Sequence, residues 1–132
     1  LIESTMSILA KSDQRKPSSE LFLEGDGKAA LDLSAIGDYA KVLEMVRIAP
    51  SASNKQPWRI IKDKDHYHFY LTRTPGYGVM NYDLQLNDIG IAKCHFEFAA
   101  LELKRNGVWE TVSSAPTALN WEYVISWKCL SI

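Results

Sequence analysis

The stretch "RIAPSASNKQPWRI", residues 47–60, sets the order of elements in the middle of the chain. Residues 36–49 carry a broad apolar stripe that predicts a buried helix, and Pro50 forces the residue before it out of helical geometry. Small polar residues follow, and a strand is predicted from Trp58. Because the loop contains no acid, histidine or thiol, and only Lys55 is charged, it offers hydrogen bonds but no acid–base or nucleophilic chemistry. The loop is either a well-capped connection between helix and strand or a rigid, amide-lined surface that suits the flat ring of a heterocyclic ligand.

The remaining pattern predicts an α+β domain in which a mixed or antiparallel sheet packs with long helices. Residues 1–34 are predicted as a connector with a short strand at 21–23, and residues 35–132 as the domain proper. The other predicted elements are a hairpin of strands 58–62 and 66–73, a second helix over 83–105 that stops at Asn106-Gly107, a strand over 108–112 and a last strand around 121–127.

Alternation and helical spacing also predict which side chains share a face. The second helix has a core stripe of Ile89, Ala92, Phe96, Ala99 and Leu103. In the second hairpin strand, Tyr67, Phe69 and Leu71 are expected on one face and His66, His68 and Tyr70 on the other. In the last strand, Trp121, Tyr123, Ile125 and Trp127 are expected to share one face.

The bulk composition bounds the class of protein. The chain has 132 residues, 46% hydrophobic and 23% charged, with a net charge of −1, which is ordinary for a globular domain. The sequence has no cluster of basic residues on one element, so binding to nucleic acid or to a membrane surface is not expected. No apolar run reaches the length of a membrane span. Cys94 and Cys129 lack metal-type spacing and are predicted to be reduced, buried thiols of a cytoplasmic protein.

Three further candidates are weighed against plainer interpretations. His66 and His68 have the spacing of a two-histidine metal clamp, but solvent-facing histidines on an edge hairpin are the favoured interpretation. Asp88 and His95 are seven residues apart on the second helix, about 10 Å, so capping or core roles are favoured over a catalytic pair. Cys94 stands among apolar neighbours and is predicted to be an inert thiol.

The sequence contains no phosphate-binding loop, no dinucleotide fingerprint and no serine-hydrolase elbow. An enzymatic function therefore needs a cofactor that carries the chemistry, with the protein supplying shape and hydrogen bonds.

The loop resembles a known motif. "APSASNKQPW" is similar to A-P-S-x-x-N-x-Q-P-W of the FMN-dependent nitroreductase family, and "NDIGIAKCHFEFAALEL" and "WEYVISW" resemble segments of a branch of that family in which two half-units lie in one polypeptide. The matching residues are Ala49, Pro50, Ser51, Asn54, Gln56, Pro57 and Trp58 in the loop, and Asp88, Gly90, Ile91, His95 and Ala100 in the helix. The resemblance implies a nitroreductase-like fold.

The resemblance also implies a function. Pro50, Ser51, Ala52, Asn54 and Gln56 are expected to contact FMN, no residue is expected to be catalytic, and no metal is expected. The family reaction is a ping-pong reduction in which NAD(P)H reduces the flavin, which then reduces a nitroaromatic, a quinone or a similar small-molecule acceptor.

One part of the family pattern is absent from this chain. The R-x-S-x-R segment that anchors the FMN phosphate is not found, and Arg15 and Lys16, in a segment similar to a later basic contact, are the remaining phosphate candidates. The chain thus resembles the C-terminal half of the two-half branch. A homodimer, or pairing with a second half-unit, is expected. The alternative is a non-catalytic half-domain that serves as a dimerisation or folding partner without FMN of its own.

Overall fold

The structure is a computed structural model, and it describes residues 15–51, 55–73, 84–117 and 120–130. In chain order the helices are α1 (Ser18–Leu21), α2 (Tyr39–Arg47) and α3 (Leu84–Glu102), with a 3-10 turn at Leu33–Ala35. The strands are β1 (Phe22–Glu24), β2 (Ala29–Ala30), β3 (Trp58–Asp63), β4 (His66–Leu71), β5 (Gly107–Glu110) and β6 (Glu122–Cys129).

The strands form one mixed sheet in the order β2-β1-β3-β4-β6-β5. Every neighbouring pair is antiparallel except β1 and β3, which run parallel. Helices α2 and α3 pack on each other and share one apolar core with the sheet. The α+β class and the mixed sheet predicted from the sequence are therefore confirmed.

The strand predicted in the leading segment exists but begins one residue later, at Phe22. Helix α1 and strand β2 are additional elements that the turn-rich composition of this segment did not indicate. Leu21 and Phe22 are fully buried in the main core, because β1 aligns with β3, with Phe22 opposite Ile60. The division of the chain at residue 34 stays a prediction.

Helix α2 is shorter than its predicted range of 36–49. A 3-10 turn capped by the Asp32 side chain precedes it, and Gly37 adopts a left-handed φ of 61°, so regular helix begins only at Tyr39. The helix ends before Pro50, as predicted, and it buries Val42, Leu43 and Val46.

Helix α3 lies where the second helix was predicted, but its stop differs. The amide of Arg105 donates to the oxygen of Ala100 over 2.8 Å, and Lys104 takes the left-handed conformation at φ 59°. Asn106-Gly107 is therefore not the helix stop. Glycine is needed at position 107 for a different reason, which is close packing. A Cβ added there would lie 2.2 Å from the indole of Trp127.

The predicted core stripe of α3 faces the aromatic residues of the sheet. Ile89, Ala92 and Phe96 are buried, and Ala99 and Leu103 pack partly buried against them. The centroid of the Phe96 ring lies 5.3–6.0 Å from the ring centroids of Tyr39, Tyr67, Phe69, Trp109 and Trp127.

The predicted shared face of the last strand is wrong. Phe69 pairs with Ile125, but its neighbour Tyr70 pairs with Tyr123, so Val124 is an extra residue in a β-bulge. The bulge reverses the alternation. As a result, Ile125 and Trp127 join the main core, whereas Trp121 and Tyr123 pack with Tyr70 in a second cluster on the opposite face.

Among the described residues, no helix combines the length and apolar character needed to cross a membrane. The cytoplasmic location stays a prediction.

Candidate functional site

The candidate site is the connection from the end of α2 to the start of β3. Pro50 and Ser51 lie in its described part, with Pro50 exposed and Ser51 half-buried. Ala52 and Asn54, also predicted to contact the cofactor, lie outside the described residues. Trp58 ends the connection and is fully buried, which fixes the strand end of the loop.

Gln56 holds this connection to two other segments. Its side chain is only 1% exposed. Its Nε2 donates to the main-chain oxygen of Arg47 over 2.7 Å, and its Oε1 accepts from the amide of Lys16 over 2.6 Å. One buried amide thereby joins the end of α2, the loop and the segment before α1.

The main chain of Gln56 is also engaged. Its amide donates to Oγ of Ser51 over 2.9 Å, and its oxygen accepts from the guanidinium of Arg59 over 3.0 Å. Its φ is 46°, in a region that residues other than glycine adopt at an energetic cost. The hydrogen bonds on every polar group of Gln56 offset this cost.

Pro57 continues the anchoring. It is buried, and its oxygen accepts from both the amide of Thr72, over 2.7 Å, and the hydroxyl of Thr72, over 3.1 Å. The strand end of the loop, at Gln56 and Pro57, is therefore fixed to the hairpin as well as to α2. Pro50 and Ser51 remain on its more accessible side.

Cationic side chains lie beside Gln56. Arg15 is 8% exposed and donates to the oxygen of Ile48 over 3.5 Å. Burial, and secondly the charge of Arg47, lower the pKa of Arg15. The side chain of Lys16 points to Glu20, 3.7 Å away. Arg15 and Lys16 thus lie next to the described ends of the loop, and their role as phosphate contacts stays a prediction.

Two cations near the loop were not identified from the sequence. Arg47 pairs with Glu44 over 2.7 Å and also donates to the oxygen of Lys16 over 3.5 Å. Arg59 donates to the oxygens of Gln56 and Trp58. The sequence does place Arg47 shortly before the polar motif and Arg59 directly after it, and this position could have identified them.

The histidines of β4 are not on an edge hairpin, because β4 lies between β3 and β6. The prediction of a solvent-facing pair is wrong for His68, which is 2% exposed. Its Nδ1 forms a 2.6 Å hydrogen bond with Oγ of Ser126, which in turn bonds the hydroxyl of Tyr123. Burial, followed by the charge of His66, lowers the pKa of His68.

His66 is half-buried and has carboxylate partners. Its Nε2 lies 2.7 Å from Glu110 and its Nδ1 lies 3.0 Å from Asp65, while its ring stacks on His68 with centroids 5.3 Å apart. Within the described residues, no group of three or more histidine, cysteine, aspartate or glutamate side chains could hold a metal ion.

The remaining candidates lie on α3 and at the end of β6. Asp88 is 2% exposed, in keeping with a core role. Burial lowers the pKa of His95, which lines a groove between α2 and α3. The prediction of buried thiols is wrong for Cys94, which is exposed, and Cys129 is only half-buried; both are free. The outer face of α3 carries Cys94 because the core stripe occupies the opposite side.

The fold and the loop define a nitroreductase-like α+β domain. The chain belongs to the family described as "Putative TM nitroreductase", whose sequence profile matches residues 9–100. The description of the family names a nitroreductase, which is a class of oxidoreductase. A search of curated proteins found no match.

A solved structure supports the fold. It is described as a "putative nitroreductase" from Thermotoga maritima, with 23% sequence identity and a TM-score of 0.57. The match covers 86% of this chain but only 41% of that protein. The chain therefore spans well under two thirds of the length of that protein, and the likeness is one of fold.

Proposed function

We propose that this chain is an FMN-dependent oxidoreductase of the nitroreductase type and that residues 50–56 form one wall of its flavin site. The observation that carries the proposal is the way Gln56 pins the loop. Because its buried amide bonds both Arg47 and Lys16, the accessible residues Pro50 and Ser51 are held in one position. Residues that are fixed before they meet their ligand lose little conformational entropy on binding.

The donor set suits the proposed group. The Ser51 hydroxyl accepts from Gln56 and keeps its own hydrogen to donate to a ring oxygen or nitrogen. Arg15 and Lys16, in the segment that the Gln56 side chain binds, supply positive charge for a phosphate. The described residues therefore combine a neutral polar surface at Ser51 with positive charge at Arg15 and Lys16. This combination suits a ligand in which a heterocycle carries a phosphate.

Gln56 has a different role in this proposal from the direct contact expected from the sequence. Each of its polar groups already has a partner within the chain. It acts as a positioning residue that sets the shape of the wall, whereas Pro50, Ser51, Ala52 and Asn54 make the contacts.

FMN, when bound, would supply the redox chemistry, in which NAD(P)H is oxidised and a nitroaromatic, a quinone or a similar small acceptor is reduced. The chain's own residues bind and orient. Ser51 donates a hydrogen bond, Arg15 and Lys16 balance negative charge, and Gln56 with Pro57 anchors the strand end of the loop. The described part of the loop contains no carboxylate, histidine or thiol, which suits a reaction whose electrons are carried by a cofactor.

A second candidate rests on the length of the match. The chain corresponds to 41% of the solved structure, as a half-unit would. In this candidate it is a non-catalytic half-domain that serves as a dimerisation or folding partner and binds no FMN.

Titration with FMN, followed by quenching of flavin fluorescence, separates the two candidates. We expect saturable binding, and we expect Ser51→Ala to weaken it by about 1–3 kcal/mol if the hydroxyl is a buried partner. Ser114→Ala, which removes a hydroxyl from an exposed turn, is the matched control. The absence of quenching by the wild-type chain would contradict the flavin site and favour the half-domain.

A further inference from the structure

A small cavity lies on the face of the sheet opposite the main core, next to the second apolar cluster. We call it the aromatic cavity, because Tyr70, Trp121 and Tyr123 line it. Pro116 and its neighbours in the segment after β5 complete the lining. The volume is about 260 Å³, which is below the usual size of a cofactor site and suits one small chemical group.

The three rings of the aromatic cavity are inclined to one another. The Tyr70 side chain is fully buried, whereas Trp121 and Tyr123 are half-buried. The centroid of the Tyr70 ring lies 6.1 Å from that of Trp121, with 54° between the planes, and 5.7 Å from that of Tyr123, with 69°. Because the planes are steeply inclined, the rings do not stack flat, and aromatic faces border the cavity on more than one side.

The hydroxyl groups of both tyrosines are already bonded within the chain. Tyr70 donates to the main-chain oxygen of Pro116. The hydroxyl of Tyr123 accepts from the amide of Val112 over 3.0 Å and forms a 2.6 Å hydrogen bond with Oγ of the buried Ser126. These bonds fix the two rings before a ligand binds, so little conformational entropy is lost on binding. They also leave the ring faces, and not the hydroxyls, as the surfaces that a ligand meets.

The electrostatic character of the aromatic cavity favours a cation. The face of an aromatic ring is negative and attracts positive charge, and none of the described residues that line the cavity is charged. Elsewhere the chain supplies the cation itself, since Lys93 lies 4.9 Å from the ring centroid of Trp109 and Lys62 lies 5.8 Å from that of Tyr67. Within the described part of the chain, no lysine or arginine covers the rings of the aromatic cavity in this way. A cation over these rings would therefore come from a ligand.

We propose that the aromatic cavity binds the quaternary ammonium group of a free small molecule of the size of choline. A quaternary ammonium has no N–H group that needs an acceptor, so walls made of aromatic faces suit it better than they suit a primary ammonium. The exposed residues of the lining are Thr111, Ser113 and Thr117. Their hydroxyls suit a ligand with a polar end, whereas a surface that enters a membrane is apolar and bordered by basic residues. This inference goes beyond the proposed function, because it does not depend on flavin.

Titration of the full chain without FMN, followed by the proton NMR signal of the ligand methyl groups, tests the proposal. We expect a saturable upfield shift with choline, because ring currents shield methyl groups that lie over aromatic faces. The matched ligand is 3,3-dimethylbutanol, in which carbon replaces the quaternary nitrogen and the charge is lost. We expect it to bind about tenfold more weakly, since it lacks the cation–π attraction. No shift with choline, or equal binding of the neutral ligand, would overturn the proposal.

Variants locate the binding site. Trp121→Leu removes one aromatic wall but keeps an apolar side chain, and we expect it to weaken choline binding about tenfold. Trp121→Phe keeps a ring face and should bind choline more tightly than Trp121→Leu does. Thr117→Ala, which removes only an exposed hydroxyl of the lining, is the control and should bind as the wild-type chain does. Circular dichroism checks the fold of each variant, and wild-type affinity in a folded Trp121→Leu chain would contradict the assignment of this cavity.

Vesicles of phosphatidylcholine distinguish a free ligand from a lipid headgroup with the same chemistry. We expect the chain to stay in the supernatant when such vesicles are sedimented, although it binds free choline. Sedimentation of the wild-type chain with the vesicles, lost in Trp121→Leu, would overturn the proposal of a free small molecule.

Discussion

The side-chain amide of Gln56 donates to the main-chain oxygen of Arg47 over 2.7 Å, and this bond ties the end of α2 to the loop that precedes β3. The same amide accepts from Lys16. Gln56, which the resemblance implies as a ligand contact, therefore also clamps three segments of the chain together. Its removal should affect folding and ligand binding together.

Gln56→Ala should lower the free energy of unfolding by about 1–3 kcal/mol, because it leaves the part-buried amide of Lys16 and the part-buried oxygen of Arg47 without their partner. Urea denaturation followed by tryptophan fluorescence measures the change. Lys28→Ala, at an exposed turn, should change it by less than about 0.5 kcal/mol. Equal stability of Gln56→Ala and the control would contradict the clamp.

Gly107→Ala tests the packing at the edge of the sheet. The new Cβ would lie 2.2 Å from the indole of Trp127, whose side chain is 1% exposed in the main core. Overpacking of this kind costs about 1–3 kcal/mol. The midpoint of thermal unfolding should fall.

Val108→Ala is the control for this change, because Val108 is the next residue of β5 and is 44% exposed. It should lower the midpoint less than Gly107→Ala does. If the two variants unfold at the same temperature, the close contact between Gly107 and Trp127 is not as described.

The stability of the fold should depend on pH through His68. Burial lowers the pKa of His68 below its ordinary value of 6.5, so on acidification the unfolded chain takes up a proton that the folded chain resists. The unfolded state then binds more protons, and stability falls as the pH drops below 6.5 toward the folded pKa. His95 contributes with the same sign.

Urea denaturation at several pH values between about 7.5 and about 5, a range that spans the ordinary pKa of histidine, measures this dependence. His68→Gln removes the titrating group but can still hydrogen-bond Ser126, so its free energy of unfolding should fall less steeply on acidification. A slope identical to that of the wild-type chain would rule out His68 as a source of the dependence.

Local pattern predicted most of the elements, and the differences have local causes. The stripe of α3 and the alternation of β4 were sufficient because one face of each is buried in the main core. The bulge at Val124 was not predictable, since one extra residue leaves alternation apparently intact while it reverses the faces beyond it. The start of α2 was misplaced because Gly37 takes a left-handed conformation that glycine allows but does not require.

The candidate site was located from its motif, but the roles within it were not. The sequence showed that the Gln56 side chain could donate and accept hydrogen bonds. Only the fold shows that it donates to Arg47 and accepts from Lys16. In the same way, burial of His68 depends on the position of β4 inside the sheet. Strand order arises from contacts between distant segments, which periodicity does not encode.

The most direct test of the account is the visible absorption spectrum of the chain loaded with FMN, recorded anaerobically before and after addition of NADH or NADPH. The proposed function predicts a protein-bound flavin band that survives gel filtration and bleaches with the nucleotide, then returns when a quinone or nitroaromatic is added. A colourless protein after gel filtration would contradict the flavin site, and a bound band that neither nucleotide bleaches would contradict the proposed reaction.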